Sequence, residues 1–443
     1  MIKLRPYQIE AIEAIKEEFK NSDRQFIEMP TGSGKTVTFL SYAQQNHKSI
    51  LIIVPSRELL NQVYETSLLF YHKSELSRRG AGFKESIKKV HICIVNSIRG
   101  DYLEKILENK FDLIIIDEAH HVQATSYKRL IGCIKSSPKY LGLTATPDRA
   151  DGLLLKELLY KCSYKIEVEA LIEANYLSDI EGYAVKTGVD ISDISSRNGD
   201  FSILELYKKL STQSRNEMIL NLCENQMKDR KTIIFCVNVK HAIEVANLLS
   251  NKGLSCKAVY GDMNEKEKSS SLYAFRNDQI QFLCNCQLLT EGFDEPSIDG
   301  IVLARPTRSR ALFVQMIGRG LRKFAGKINC KIIDMVDNHR NLASFNSILS
   351  DGPFKRIESF GSIKDIRNHI EKEIIDSIET KLERIDLFNR SYLDDEHILP
   401  SMEEYLEENN LKNYGTLSFD EASFLIWYNE LKKGYKNACT RKS

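Results

Sequence analysis

The sequence predicts an α/β protein of two lobes, each built on a mostly parallel sheet, followed by a helical C-terminal region. Three observations carry that prediction. Short runs of branched aliphatic residues alternate with helical stretches, the pattern of strands covered on both faces by crossover helices. The alternation occurs twice, in residues 1–165 and again in 211–345, on either side of a stretch, 166–210, that carries Gly182, Gly188, Gly199 and several Asp and Ser residues. After residue 345 the strand-like runs stop, and isoleucines recur at steps of three and four.

The first strand, Gln25-Phe26-Ile27-Glu28, leads into Met29-Pro30-Thr31-Gly32-Ser33-Gly34-Lys35-Thr36, and Val37-Thr38-Phe39-Leu40 continues as a helix. Glycines let backbone N–H groups approach phosphate, and the start of a helix adds its positive dipole end. Lys35 is then set to reach the β- and γ-phosphate oxygens of ATP, with Thr36 on Mg²⁺. Met29 departs from the strict pattern, which begins with glycine.

Further strands of the first lobe are expected at 50–54, 90–95, 113–116 and 140–143. The run Phe111 to Ile116 ends in Asp117-Glu118-Ala119-His120, so a buried strand delivers two acids to the carboxyl edge of the sheet, where ligands of open α/β sheets bind. Asp117 is expected to share the Mg²⁺ with Thr36, and Glu118 to orient and deprotonate water for in-line attack on the γ-phosphate. Between these elements, Arg78 and Arg79 with Lys84, Lys88 and Lys89 form a basic segment, read either as an auxiliary DNA patch or as a solvated loop.

The 166–210 stretch reads as a hinge. Beyond it, strands are expected at 232–237, 256–260, 282–286, 300–303 and 331–335, with no second phosphate loop. Gln315-Met316-Ile317-Gly318-Arg319-Gly320-Leu321-Arg322 brings two guanidiniums close together. A surface ion pair would explain them in isolation; next to a phosphate loop, Arg322 reads as an arginine finger with Arg319 beside it. ATP would thus bind the first lobe and be completed by the second across a cleft, so that closure depends on nucleotide.

In the C-terminal region, 346–443, Ile363, Ile366, Ile370, Ile374, Ile378, Leu382 and Ile385 predict one long amphipathic helix, opened by Ser362 and Asp365. It either packs on the second lobe or binds DNA or a protein partner. Asp376, Glu379 and Lys381 superficially resemble a nuclease triplet, but a helix is the wrong scaffold for it.

At 443 residues the chain has room for two or three domains. Its net charge of +1 neither demands nor excludes a polyanionic partner, so any nucleic-acid surface has to be local. No apolar stretch approaches a membrane span and Met1 to Pro6 lacks a signal-peptide segment, so no membrane partner and an intracellular location are expected. Ten cysteines without paired spacing read as reduced core residues, and Cys284-Asn285-Cys286 lacks the second pair that a zinc site needs.

Arg5-Pro6-Tyr7-Gln8, Thr31 to Thr36, Asp117 to His120, Thr144-Ala145-Thr146, Thr290-Glu291-Gly292-Phe293-Asp294 and Gln315 to Arg322, in that order, resemble the motifs of the superfamily 2 helicases. Within these the chain looks most like the RadD, XPB and phage UvsW group of DNA motors, over roughly residues 1 to 340. The resemblance implies two RecA-like lobes and nucleic-acid-stimulated ATP hydrolysis with ATP and Mg²⁺. It implies that Gln8 reads the adenine edge, that Arg5 and the loop residues Thr31, Gly32, Ser33 and Gly34 also bind the nucleotide, and that Gln315 joins the arginines in catalysis. Gly292 and Asp294 would respond to ATP and nucleic acid together, and Thr144 and Thr146 would couple nucleotide state to lobe closure. Strand contacts fall on Ser56, Arg57, Asn96 and Ser97 in the first lobe and on Asn238 and Thr290 in the second. The partner implied is DNA, single-stranded and branched duplex, in the cytoplasm of a bacterial or phage-infected cell and associated with the nucleoid. An RNA helicase, an ATP-gated binding module or a motor subunit of a larger complex are the alternatives.

Overall fold

A computed structural model describes residues 2–120, 125–134, 137–145, 159–197, 200–286, 288–289 and 292–338. The helices expected beyond 345 lie outside these residues. The first sheet has eight strands: β1 Arg24–Glu28, β2 Ile50–Val54, β3 Leu76–Gly80, β4 Phe83–Lys84, β5 Val90–Ile94, β6 Leu113–Ile116, β7 Lys139–Thr144 and β8 Cys162–Lys165. Their spatial order is β4-β3-β5-β2-β6-β7-β1-β8, and only the β3–β4 pair is antiparallel. Helices α1 Pro6–Glu18, α2 Lys35–Asn46, α3 Arg57–Ser67, α4 Asp101–Glu108, α5 Thr125–Cys133 and α6 Val168–Glu173 accompany it.

Burial explains why the central strands were readable. Every residue of β2 and β6 is inaccessible; Ile50, Ile52, Val54, Leu113 and Ile115 join one core cluster, whereas Leu51, Ile53, Ile114 and Ile116 join the cluster on the opposite face. A strand covered on both sides has to be apolar at every position.

The second sheet comprises β9 Asp179–Asp190, β12 Thr232–Phe235, β13 Cys256–Val259, β14 Phe282–Asn285, β15 Gly300–Leu303 and β16 Asn329–Asn338, in the order β13-β14-β12-β15-β16-β9 with all neighbours parallel. Its helices are α7 Ile203–Leu210, α8 Gln213–Asn225, α9 Val239–Asn251, α10 Glu265–Arg276 and α11 Arg310–Gly318.

The hinge expected over 166–210 differs from what the structure contains. β9 pairs with β16 from Asn329↔Asp179 through Val336↔Lys186 and is the edge of the second sheet. A small hairpin, β10 Ser196–Arg197 with β11 Asp200–Phe201, then joins α7, burying Ile191, Ile194, Phe201, Leu206 and Leu210 around Val237. Gly182 and Gly188, which suggested a linker, belong to an edge strand, which needs apolar side chains on fewer positions than a central one; Gly199 lies outside the described residues. The lobes are packed together: one continuous apolar cluster holds Ile52 and Leu141 of the first and Ile233 and Ile301 of the second.

Candidate active site

Backbone pairing continues from β1 into the phosphate loop, where the Met29 N–H donates to Thr144 O at 3.0 Å and the Met29 side chain is fully buried. That extended, core-facing position accounts for a methionine where the strict pattern has glycine. Gly32 (φ 84°) and Gly34 (φ 83°) adopt left-handed backbone, which glycine enters without cost. Ser33 closes the turn between them by donating from N and Oγ to Pro30 O at 3.2 and 2.7 Å. α2 begins at Lys35 with no side-chain cap, so its leading N–H groups remain for an anion. Lys35 Nζ lies back across the loop and donates to Met29 O at 3.2 Å.

Gln8, the expected adenine reader, and Arg5 brace this loop. Gln8 Oε1 accepts from Arg5 N at 2.9 Å, while Nε2 donates to Ser33 O and Gly34 O at 3.3 and 3.4 Å. Tyr7 adds an O–H bond to Ser33 O at 2.6 Å and itself accepts from Arg5 Nη1 at 3.0 Å.

At the end of β6, the Asp117 N–H still donates to Ile53 O at 3.0 Å, and Asp117 Oδ1 accepts from Glu118 N at 3.0 Å. Glu118 has φ 49°, a left-handed conformation that costs a non-glycine residue on the order of 1 kcal/mol. Its Oε2 is buried, accepts no hydrogen bond among the described residues and lies 3.4 Å from His120 Nδ1. His120 Nδ1 is 3.3 Å from Thr144 Oγ1, and its Nε2 is 3.4 Å from Gln315 Nε2 of the other lobe. The Gln315 amide and the His120 imidazole meet across the two lobes. His120 thus links the acid pair to α11.

α11 starts at a Ser309 cap, whose Oγ accepts from Leu312 N at 3.2 Å, and is almost entirely buried. Arg319 at its C-terminus and Arg322 beyond it share one acceptor: each Nη1 donates to Phe293 O, at 2.8 and 3.2 Å. Arg322 also pairs with Asp294 at 2.7 Å; burial lowers its pKa, and Asp294 opposes that shift. The segment lies directly on the phosphate loop. A Cβ on Gly318 would stand 2.7 Å from Thr31 Cβ, and one on Gly32 would meet Arg322 Cγ at 3.2 Å. Gly292 (φ 68°) abuts the start of α3, where a Cβ would be 2.6 Å from Glu58 Cβ.

A second link between the lobes escaped the sequence reading. Glu28, at the end of β1, faces Lys165 at 3.6 Å; Lys165 pairs with Glu167 at 2.9 Å, and Glu167 with Arg310, the first residue of α11, at 3.9 Å. Nothing in the local sequence marks these four residues as neighbours.

Ser56 and Asn238 occupy equivalent places. Each caps the helix after a central strand, Ser56 Oγ accepting from Leu59 N at 3.2 Å and Asn238 Oδ1 from His241 N at 2.8 Å. Their side chains are spent on α3 and α9, so what they offer outward is a helix start. Arg57 is half exposed and pairs with Glu265 of the other lobe at 3.4 Å. Asn96 is exposed and lines a pocket of about 380 Å³ with Arg99, Leu103 and Ser126, whereas Ser97 Oγ turns inward to Ile94 O at 2.7 Å. Thr146 and Thr290 lie outside the described residues. The arginines of the basic segment are held in place: Arg78 sits 3.8 Å from the rings of both Tyr64 and Phe83, and Arg79 lies 4.2 Å from that of Tyr102.

Two mostly parallel sheets, with a phosphate loop on one and the arginines of the other against it, define a two-lobed core with a candidate nucleotide site where the lobes meet. Residues 1–149 match the family model described as "Type III restriction enzyme, res subunit", and residues 214–323 the "Helicase conserved C-terminal domain". IRC3 of Saccharomyces cerevisiae, whose name proposes an ATP-dependent helicase, is 33% identical over 355 residues, covering 75% of this chain and 51% of IRC3. The "DNA 3'-5' translocase XPB2" of Sulfurisphaera tokodaii is 25% identical over 363 residues, 73% of this chain and 79% of XPB2. Among solved structures, a fragment assigned to an HsdR subunit of a type I restriction enzyme from Vibrio vulnificus superposes with a TM-score of 0.59 at 24% identity, covering 75% of this chain and 64% of that one. The chain belongs to the superfamily 2 helicases, and it spans about half the length of IRC3.

Proposed function

We propose that this protein hydrolyses ATP in response to nucleic acid and uses the cycle to translocate on DNA, acting on branched substrates in repair, recombination or replication. The observation that carries the reading is the contact of Gly318 and Arg322 of one lobe with Thr31 and Gly32 in the phosphate loop of the other, together with a buried Glu118 oxygen that has no hydrogen bond among the described residues. The donor set fits ATP with Mg²⁺: uncapped N–H groups at α2, an ammonium on Lys35, and Thr36 with the Asp117 carboxylate as hard oxygen ligands. Mg²⁺ bound there would screen the charge of the phosphate oxygens.

Glu118 is the proton acceptor for an attacking water, its carboxylate aimed by the left-handed backbone turn and by His120. Lys35 leaves Met29 O for the phosphates. Arg322 and Arg319 stabilise charge that develops on the transferred group. Because His120 touches Gln315, the hydrolytic carboxylate and the arginine segment form one unit only when the lobes are closed. The helix starts at Ser56 and Asn238 suit a phosphodiester backbone and carry no base readout, so substrate preference is for structure rather than base sequence. The name of XPB2 supports DNA over RNA.

Steady-state ATP hydrolysis with matched single-stranded DNA, duplex DNA, a four-way junction and single-stranded RNA at one salt concentration tests this. The junction is expected to stimulate most. Stimulation by RNA alone would replace the DNA assignment with an RNA helicase.

A further inference from the structure

The geometry points to Lys327 as the residue that positions the arginine finger. This rests on the reading of Arg322 just given. Lys327 stands outside the motif that supplies the arginines, at the end of the loop that follows it. Its Nζ reaches back to four backbone carbonyls: Pro296 O at 3.5 Å, Arg322 O at 3.0 Å, and Ile298 O and Gly320 O at closer range. Two of these belong to the finger segment itself. The other two follow Phe293 and Asp294, the acceptors that hold the finger's guanidiniums.

Cations therefore stitch the same two segments together from both sides. Arg319 and Arg322 donate forward to Phe293 O, and Lys327 gathers the carbonyls behind them. An ammonium suits that task because it is a compact point charge with three rotatable donors, whereas a guanidinium is a planar fork. Charge-assisted bonds to carbonyls are roughly twice as strong as neutral ones. The floor of the loop is rigid as well: a Cβ on Gly320 would stand 3.1 Å from Ile301 Cγ1 of β15 and closer still to Cys330 Sγ of β16. Arg322 also forms a β-bridge with Leu177, and its O accepts from Ser178 Oγ at 3.0 Å, so with the floor set by packing the Lys327 ammonium holds the Gly320 carbonyl and shares that of Arg322, and thereby helps set where the Arg322 side chain leaves the backbone. With its Nζ engaged by four carbonyls, Lys327 is a positioning residue.

The test uses the full chain and compares wild type, Lys327→Met and Arg322→Ala. Affinity is measured for ADP alone and for ADP with aluminium fluoride, a mimic of the transferred phosphoryl group, alongside kcat and KM for ATP. Lys327→Met is expected to leave ADP affinity and KM within about twofold, and to lower both kcat and the affinity gained from aluminium fluoride by at least roughly tenfold. Equal weakening of ADP with and without aluminium fluoride, or an unchanged kcat, overturns the proposal.

Lys327→Ala assayed with propylammonium supplies a second arm, in which partial recovery of kcat is expected and its absence counts against the role. If neither variant folds, Lys327 is a general stability residue and the proposal fails. Arg322→Ala separates the two readings. If it keeps the gain from aluminium fluoride, the finger assignment itself is wrong; if it loses the gain while Lys327→Met keeps it, only the role of Lys327 falls.

Discussion

The two lobes share one plan and differ in how they finish their central strands. In the first, β1 runs into a loop with two left-handed glycines and a helix left without a side-chain cap. In the second, β12 runs to Asn238, whose side chain caps α9. The neighbouring strands repeat the contrast. β6 ends in two buried acids, and Glu118 Oε2 has no hydrogen bond among the described residues; β14 ends in Asn285, which is fully buried and satisfied, its Oδ1 accepting from Leu289 N at 3.3 Å and its Nδ2 donating to Ile234 O at 3.4 Å. The first lobe withholds local hydrogen bonds where a ligand would supply them, and the second closes its own. What the second lobe contributes is cationic, so a complete site exists only where the lobes meet.

Removing that contribution is expected to have the largest effect. Arg322→Ala should lower kcat for stimulated ATP hydrolysis by about a thousandfold or more while KM for ATP changes little, since a finger acts on the transition state. Glu118→Gln breaks the lobe-1 half of the comparison. It should lower kcat on the order of a hundredfold or more while ATP and DNA stay bound, detectable as a long-lived ternary complex in a filter or gel assay. Retained turnover in both variants would show that the arginines and the acid are not partners.

Gly292→Val sharpens the comparison at the seam. It combines a φ of 68° with a Cβ 2.6 Å from Glu58, so it should hold the lobes apart, enlarge the solution radius of gyration and cost roughly tenfold or more in kcat.

A smaller effect is expected with pH. His91 of the first lobe and His241 of the second are both buried and held near pKa 4 by desolvation. Their folded values lie below the unfolded value near 6.5, so the stability they contribute is complete above that pH and is lost as pH falls from there toward 4. Thermal melts should drop by on the order of 5 °C between pH 7 and pH 5. His91→Gln and His241→Gln together should flatten that dependence, and an unchanged slope would mean that other groups titrate. Glu265→Ala should matter least. Its pair with Arg57 is exposed, worth about 0–1 kcal/mol, and the melting temperature should stay within a degree or so.

The positions of β2, β6 and β15, the phosphate-loop sequence and the acid pair at the end of a strand were legible because each signal is local. A strand buried on both faces is apolar throughout, and a loop that cradles phosphate needs glycine within a few residues of lysine. β9 was not readable, because an edge strand with polar and glycine positions has the composition of a linker until β16 is beside it. Phe293 as the shared acceptor was hidden for a different reason: the contact uses its backbone carbonyl, and every residue has one. The chain from Glu28 through Lys165 and Glu167 to Arg310 was hidden because charged residues are common and only proximity makes a pair.

By itself the sequence determined the α/β class and the main strands of the two sheets, and it marked the residues proposed to bind a nucleoside triphosphate, since these follow from periodicity and short-range spacing. Only the tertiary structure decided that β9 completes the second sheet, that Gly318 and Arg322 lie on Thr31 and Gly32, and that His120 meets Gln315. Those contacts join residues separated by well over a hundred positions, and such pairings are set by how whole sheets pack rather than by any local pattern.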